Sequence, residues 1–267
     1  MPKQSHLLGL ARLVPHLGRH ARAGRWKRSG KRPRVWAHRG ASAHAPENTM
    51  AAFSKAVEAG ADGIELDVRF DGDKNVVVFH DNKLERLAGQ PGTMDTLSAS
   101  SRAALRVKGE SVPLLSDVLH EIDLEIDVEI KSNHPGREGE LVAAVARVIK
   151  DSGRIDDVCV SSFDPVILVQ FHRHLPEVAC GYIFGDDQIL PARKGWVGNV
   201  IGAALCHPQH TLVTEATIAA WHRQGMPVNT WTVDDPAELR RLNELGVDGV
   251  FSNDPARALE VFNITSR

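Results

Sequence analysis

Cysteine is scarce in this chain of 267 residues, occurring only at positions 159, 180 and 206. Cys159, Cys180 and Cys206 are too few and too scattered for a disulfide framework, and each lies in an apolar run that reads as a strand. Buried, reduced thiols and a cytoplasmic setting are therefore expected. No apolar run approaches the ~20 residues of a membrane span, and a signal-peptide core is lacking as well. Internal repeats and low-complexity tracts are missing, and nothing marks a second domain. What is there, 42% hydrophobic and 25% charged residues, suffices for one full-sized core in the size range of an α/β barrel.

Acidic residues are absent from the first 34 positions, which carry ten Lys or Arg, while the other 22 basic residues face 34 acidic ones over the rest of the chain. A net charge of −2 thus hides a basic arm on an acidic body. Leu7, Leu8, Leu10, Leu13 and Leu17 give the arm a weak helical stripe. For residues 1–33 a flexible or loosely helical extension is expected, with peripheral contact to an anionic membrane as the rival role. Residues 34–267 form the barrel domain in this reading. A nucleic-acid partner is not expected, and the sequence carries no sign of an oligomeric state.

From Arg34 onward short β-branched or apolar runs alternate with amphipathic stretches, the pattern of βα units around a parallel sheet. Eight runs can lie parallel: 34–38, 63–68, 124–130, 157–162, 179–184, 201–206, 227–233 and 248–252. A ninth, from Val76 to His80, follows the second too closely for a parallel crossover, so it must return as a hairpin turning at residues 71–74. The expected fold is a (β/α)₈ TIM barrel of the α/β class with a short hairpin excursion after strand 2. Asn48 reads as the N-cap of a helix stopped at Gly60, and Asp235-Pro236 opens a helix that stops at Gly246. A helix is also expected from Glu138 to Ile149, and the stretch 83–111 reads as a loop with a short helix.

Barrel enzymes carry their working residues at the C-terminal ends of the strands. His38-Arg39-Gly40 ends the first strand, Glu65 and Asp67 share one face of the second, and His80-Asp81 closes the hairpin. The third strand carries Glu125, Asp127, Glu129 and Lys131. Carboxylates facing a barrel interior need a compensating charge, and a divalent cation held by Glu65, Asp67 and Glu129 is the economical solution. Oxygen ligands without cysteine favour Mg²⁺ or Ca²⁺ over zinc. The competing reading turns Glu65 and Asp67 outward, paired with helix Lys or Arg. Of the three carboxylates of one parity on strand three, only Glu129 is expected to reach the metal. His38 and His80 suit a general base and a general acid. Arg39 and Lys131 suit phosphate contacts, with ion pairing to the site carboxylates as the alternative. Trp231 is either a pocket wall or a core aromatic.

The ordered strings His38-Arg39-Gly40-Ala41-Ser42, Ala45-Pro46-Glu47-Asn48-Thr49, Gly63-Ile64-Glu65-Leu66-Asp67 and Val77-Val78-Phe79-His80-Asp81 resemble the signature of glycerophosphodiester phosphodiesterases. Glu129-Ile130-Lys131, Ser162-Phe163, Trp231-Thr232-Val233 and Gly246-Val247-Asp248-Gly249-Val250 extend the resemblance, which spans about Val35 to Pro255 in a compact bacterial form. It implies metal binding by Glu65, Asp67 and Glu129, acid/base roles for His38 and His80, phosphate contacts by Arg39 and Lys131, and Trp231 at the substrate pocket. The implied reaction is hydrolysis of a small-molecule glycerophosphodiester to glycerol 3-phosphate and an alcohol. Lysophospholipase D or sphingomyelinase D-like activity and a silent phosphodiester-binding barrel are the rivals. The chain departs from the family pattern at Arg86-Leu87-Ala88, where Arg-Thr-Thr is frequent, and at Ser252-Asn253, where Thr-Asp is common; the second change is expected to lie remote from the metal.

Overall fold

The computed structural model describes residues 19–28, 30–133, 138–188 and 195–265. Eight parallel strands line its centre: β1 (Arg34–His38), β2 (Gly63–Phe70), β3 (Glu125–Ile130), β4 (Val158–Ser162), β5 (Ala179–Phe184), β6 (Leu205–Pro208), β7 (Asn229–Thr230) and β8 (Gly249–Ser252). Hydrogen-bonded neighbours run β7-β8-β1-β2-β3-β4-β5-β6, and parallel bridges Cys206–Val228 and Gln209–Trp231 bring β6 to β7 and close the ring. The fold is the expected (β/α)₈ barrel. Val76–Val78 returns antiparallel on β2, with Val78 opposite Val68. Asp71 pins that turn by accepting from the backbone N–H groups of Asp73 and Asn75 at 3.0 and 2.8 Å.

Strand alternation divides the residues between two environments. Ile64, Leu66 and Val68 of β2, Ile126, Val128 and Ile130 of β3, and Val158 and Val160 of β4 pack outward in one core with helix residues such as Phe53, Val118, Val142 and Phe171. The opposite faces fill the barrel. At its lower end Trp36 stacks near Phe251, ring centroids 6.0 Å apart. Its indole passes Gly63, where a Cβ would stand 2.4 Å from the ring, so glycine is required there by close approach. The upper interior is polar and holds the site.

Several boundaries differ from the sequence reading. The sixth strand is Leu205–Pro208 and not 201–206: Gly202 turns with φ 73°, and the buried Ala203 and Ala204 made a pre-strand connection look like strand. Thr49, not Asn48, caps the helix Met50–Glu58, its Oγ1 accepting from Ala52 N–H at 3.3 Å. The stretch 83–111 is more ordered than a loop, containing the helices Glu85–Ala88 and Ala99–Ala104 and a two-stranded ribbon of Arg106–Val107 with Glu110–Ser111. None of the described helices is long and apolar enough to cross a membrane.

The basic arm is folded where it can be described. Arg19–Gly24 is helical, Ala23 and Trp26 are buried, and the Trp26 ring lies 5.6 Å from Trp36 beneath the barrel. Arg28 N–H donates to Asp248 at 2.8 Å, and Arg32 forks onto Asp62 at 2.6 and 3.1 Å. Charge dominated the sequence reading, and the single apolar Trp26 gave no period to find. The leucine stripe at residues 7–17 lies outside the described residues.

Candidate active site

The upper barrel mouth opens into a cavity of about 200 Å³ lined by His38, Arg39, Glu65, His80, Glu129, Lys131 and Trp231, among others. All eight barrel strands, or the loops just after them, supply residues to it, and the hairpin adds His80. Glu65 and Asp67 face inward, not outward, because Ile64, Leu66 and Val68 claim the apolar side of β2. Ligand oxygens of Glu65, Asp67 and Glu129 all lie within 4.8 Å of one another, and all three residues are buried. Burial, followed by Asp67 and Glu129, drives the Glu65 carboxyl well above its ordinary pKa. Glu129 is also raised, chiefly by burial. Burial pushes Asp67 the same way, but Lys131 and Arg39 outweigh it and hold that group low.

Two cations sit among these three anions. Lys131 Nζ reaches Asp67 Oδ1 at 2.8 Å and Glu129 Oε1 at 2.5 Å. Arg39 uses its backbone N–H for Glu65 at 2.9 Å and its side chain for Glu47 at 2.8 Å, with Asp67 3.3 Å away. Both basic residues thus make the ion pairs that the sequence reading weighed beside phosphate contact. Asn48 adds a clamp on Asp67, donating to Oδ2 at 2.7 Å while its own Oδ1 accepts the Asp67 N–H at 3.2 Å. Its left-handed backbone, φ 58°, serves that contact in place of the expected cap.

Each histidine has one ring nitrogen engaged. His38 Nδ1 lies 2.8 Å from Asn253 Oδ1. Asn253 spends its amide N–H on Asp234 at 2.6 Å, so its oxygen accepts and His38 carries the proton on Nδ1. Nε2 is left without a proton, 4.0 Å from Glu65. Burial, then Arg39, lowers the His38 pKa to about 4. Asn253, expected to lie remote from the metal, is the direct partner of His38. His80 Nδ1 lies 2.5 Å from Asp81 Oδ1, and burial lowers its pKa while Asp67 and Asp81 oppose the shift. Arg86 forks onto Asp81 at 2.6 and 2.9 Å and onto Glu47 at 2.8 and 2.9 Å. The departure at residues 86–88 thus keeps its arginine at work.

Trp231 stands at the pocket wall, its Nε1–H donating to the His207 carbonyl at 2.9 Å and its ring meeting Phe163 edge-on at 5.5 Å. The interior also holds Asp127, Ser161 and His207, which sequence reasoning did not place in the site.

A family model for the Glycerophosphoryl diester phosphodiesterase family matches residues 38–257, most of the chain and every site residue above. The chain belongs to this family. A glycerophosphodiester phosphodiesterase of Caldanaerobacter subterraneus subsp. tengcongensis is 32% identical over 236 residues, covering 83% of this chain and 94% of that protein. One from Bacillus altitudinis is 32% identical over 251 residues, covering 85% and 97%. Among solved structures, an Oleispira antarctica phosphodiesterase in complex with the product sn-glycerol-3-phosphate superposes with a TM-score of 0.80 at 27% identity, covering 87% of this chain and 97% of that one. The family's barrel accounts for the strands, and its substrate name directs attention to the polar mouth.

Proposed function

We propose that this chain hydrolyses glycerophosphodiesters to glycerol 3-phosphate and an alcohol, with one divalent cation held by Glu65, Asp67 and Glu129. One observation carries the reading: two histidines, each oriented through Nδ1, line the cavity beside a cluster of three buried carboxylates whose oxygens converge, with Glu65 and Glu129 on the cavity wall. Once ionised, the three carboxylates outnumber Lys131 and Arg39, and an all-oxygen donor set suits a hard cation such as Mg²⁺ or Ca²⁺. When bound, that cation supplies charge neutralisation at the carboxylates and at a phosphate oxygen.

The chain's own groups do the rest. Arg39 and Lys131 hold the phosphate, the first as a fork and the second as a point charge. His38, kept neutral by burial and paired with an amide, accepts the proton of the attacking oxygen at Nε2. His80 is backed by the Asp81 carboxylate, which favours its imidazolium form, and so delivers a proton to the departing alcohol. Trp231 and Phe163 bound the opening through which the alcohol leaves. A cytoplasmic setting, supported by three buried free cysteines, and a peripheral membrane contact by the basic arm complete the proposal.

Its test is a head-group panel assayed with Mg²⁺, Ca²⁺ and Mn²⁺ and with excess chelator. Turnover of glycerophosphocholine or glycerophosphoethanolamine that vanishes on chelation and returns with one of the cations supports it. Undiminished turnover in chelator, with no metal found by elemental analysis, overturns the metal assignment.

A further inference from the structure

The inward stripe of β3 carries three carboxylates at different depths, and only two of them are paired with a lysine or arginine. Glu125, at the bottom, is paired with Arg34. Glu129, at the top, is paired with Lys131. Asp127, one pleat below Glu129 and 1% exposed, has neither oxygen in a hydrogen bond. The Ser161 hydroxyl and the Cys159 thiol lie close enough to favour its charge, yet neither meets it in bonding geometry. His207 Nδ1 meets Asp127 Oδ2 only at 3.5 Å, within ion-pair reach but not hydrogen-bonded, and Ser161 Oγ has no hydrogen bond either.

All three side chains are buried to within about 1% of full coverage and all line the cavity. Unpaired buried polar groups are rare in native proteins, because folding strips their water without returning a bond. Three of them around one cavity leave polar atoms facing it that a ligand can satisfy. The fold has made room for the arrangement: Gly181 lets the His207 ring lie across the interior, since a Cβ there would stand 2.6 Å from it. Asn229 Nδ2, 3.2 Å away, donates to His207 Nε2, which leaves the His207 proton on Nδ1, toward Asp127. Beneath this layer Trp36 and Phe251 stop the barrel, and the polar lining above them suits a short, hydroxylated group.

We propose that Asp127, Ser161 and His207 form a hydroxyl-binding subsite at the cavity floor that receives the small polyol end of the substrate and makes the enzyme selective for it. The proposal rests on the phosphodiesterase reading above and deepens it. Asp127 accepts from a hydroxyl, His207 Nδ1–H donates to one, and Ser161 does either. The larger alcohol is thereby directed outward past Trp231.

The test compares kcat/KM on glycerophosphocholine with that on bis(p-nitrophenyl) phosphate, which has no polyol hydroxyls. The ratio between the two substrates falls at least about tenfold in Asp127→Leu and in Ser161→Ala, and less in Asp127→Asn, which keeps a polar oxygen. The melting temperature of Asp127→Leu stays level or rises, because an unpaired buried carboxyl is gone. An unchanged ratio in all three variants overturns the proposal, as does a lowered melting temperature with the ratio intact, which assigns Asp127 a structural task. Calorimetry decides independently of turnover: the wild type binds sn-glycerol 3-phosphate more tightly than inorganic phosphate, and Asp127→Leu loses that preference. A wild-type protein inert on every diester but still showing that preference sinks the hydrolase reading and keeps the subsite.

Discussion

The two histidines differ in what stands behind them, and that difference sets their expected behaviour. A neutral amide behind His38 offers no charge to stabilise an imidazolium, whereas Asp81 behind His80 does. His38→Ala and His80→Ala should each slow glycerophosphocholine hydrolysis by about 10²- to 10⁴-fold. On a p-nitrophenyl diester, whose leaving group needs no proton, His80→Ala should regain much of its rate and His38→Ala should not. Recovery in the opposite variant would exchange the roles. Asn253→Asp supplies the missing carboxylate and should raise the His38 pKa, moving the acidic limb of the kcat/KM profile upward by about one unit or more. A profile that stays in place would mean that His38 does not set that limb. The two histidines as an acid/base pair were legible in the sequence, but the amide behind His38 was not. Asn253 was noticed but not linked to His38, because 215 residues separate the two and only the meeting of β8 and β1 on barrel closure brings them together.

At the scale of elements, the part of the arm that can be described acts as a floor. Trp26 is 2% exposed and covers Trp36 from below, so Trp26→Ala should destabilise the protein by about 3–5 kcal/mol as a large buried aromatic is lost. Truncation before Arg19 should leave activity on soluble substrate within a few-fold, while truncation through Pro33 should lower the melting temperature sharply. Equal melting temperatures for the two truncations would refute the floor. The sequence reading found the alternation of strands and helices and the returning hairpin, because periodicity and turn residues are local signals. It misjudged elements defined by distant partners. Asn48 has the composition of a cap, yet Asp67 claims it. Ala203 and Ala204 are apolar because other elements cover them, not because they pair. Asp127 was legible as inward-facing by parity, but a missing partner leaves no trace in a sequence.

For the molecule as a whole, the polar interior links stability, pH and cation binding. A carboxyl whose pKa is raised in the folded state contributes stability that is present at low pH and is lost as pH rises through the folded value. Asp127, raised to about 7 chiefly by burial, and Glu65, pushed well above its usual range by burial and then by Asp67, both act in this sense. His38 and His207, lowered to about 4 and about 3 chiefly by burial, act oppositely, but their contribution is complete above the ordinary histidine value of about 6.5. Between roughly pH 6.5 and 7.5, around the Asp127 value of about 7, the carboxyls therefore dominate, and cation-free protein should lose stability as pH rises. A cation that binds only the folded, ionised site reverses this by mass action, and more strongly the less it must compete with protons. Thermal melts in chelator and in saturating Mg²⁺, Ca²⁺ or Mn²⁺ should show a gap in melting temperature that widens with pH across that window. Glu129→Gln, which removes one ligand and one charge, should shrink the gap at every pH while the fold survives. A gap that is constant with pH, or equally large in Glu129→Gln, would place any cation effect away from Glu65, Asp67 and Glu129.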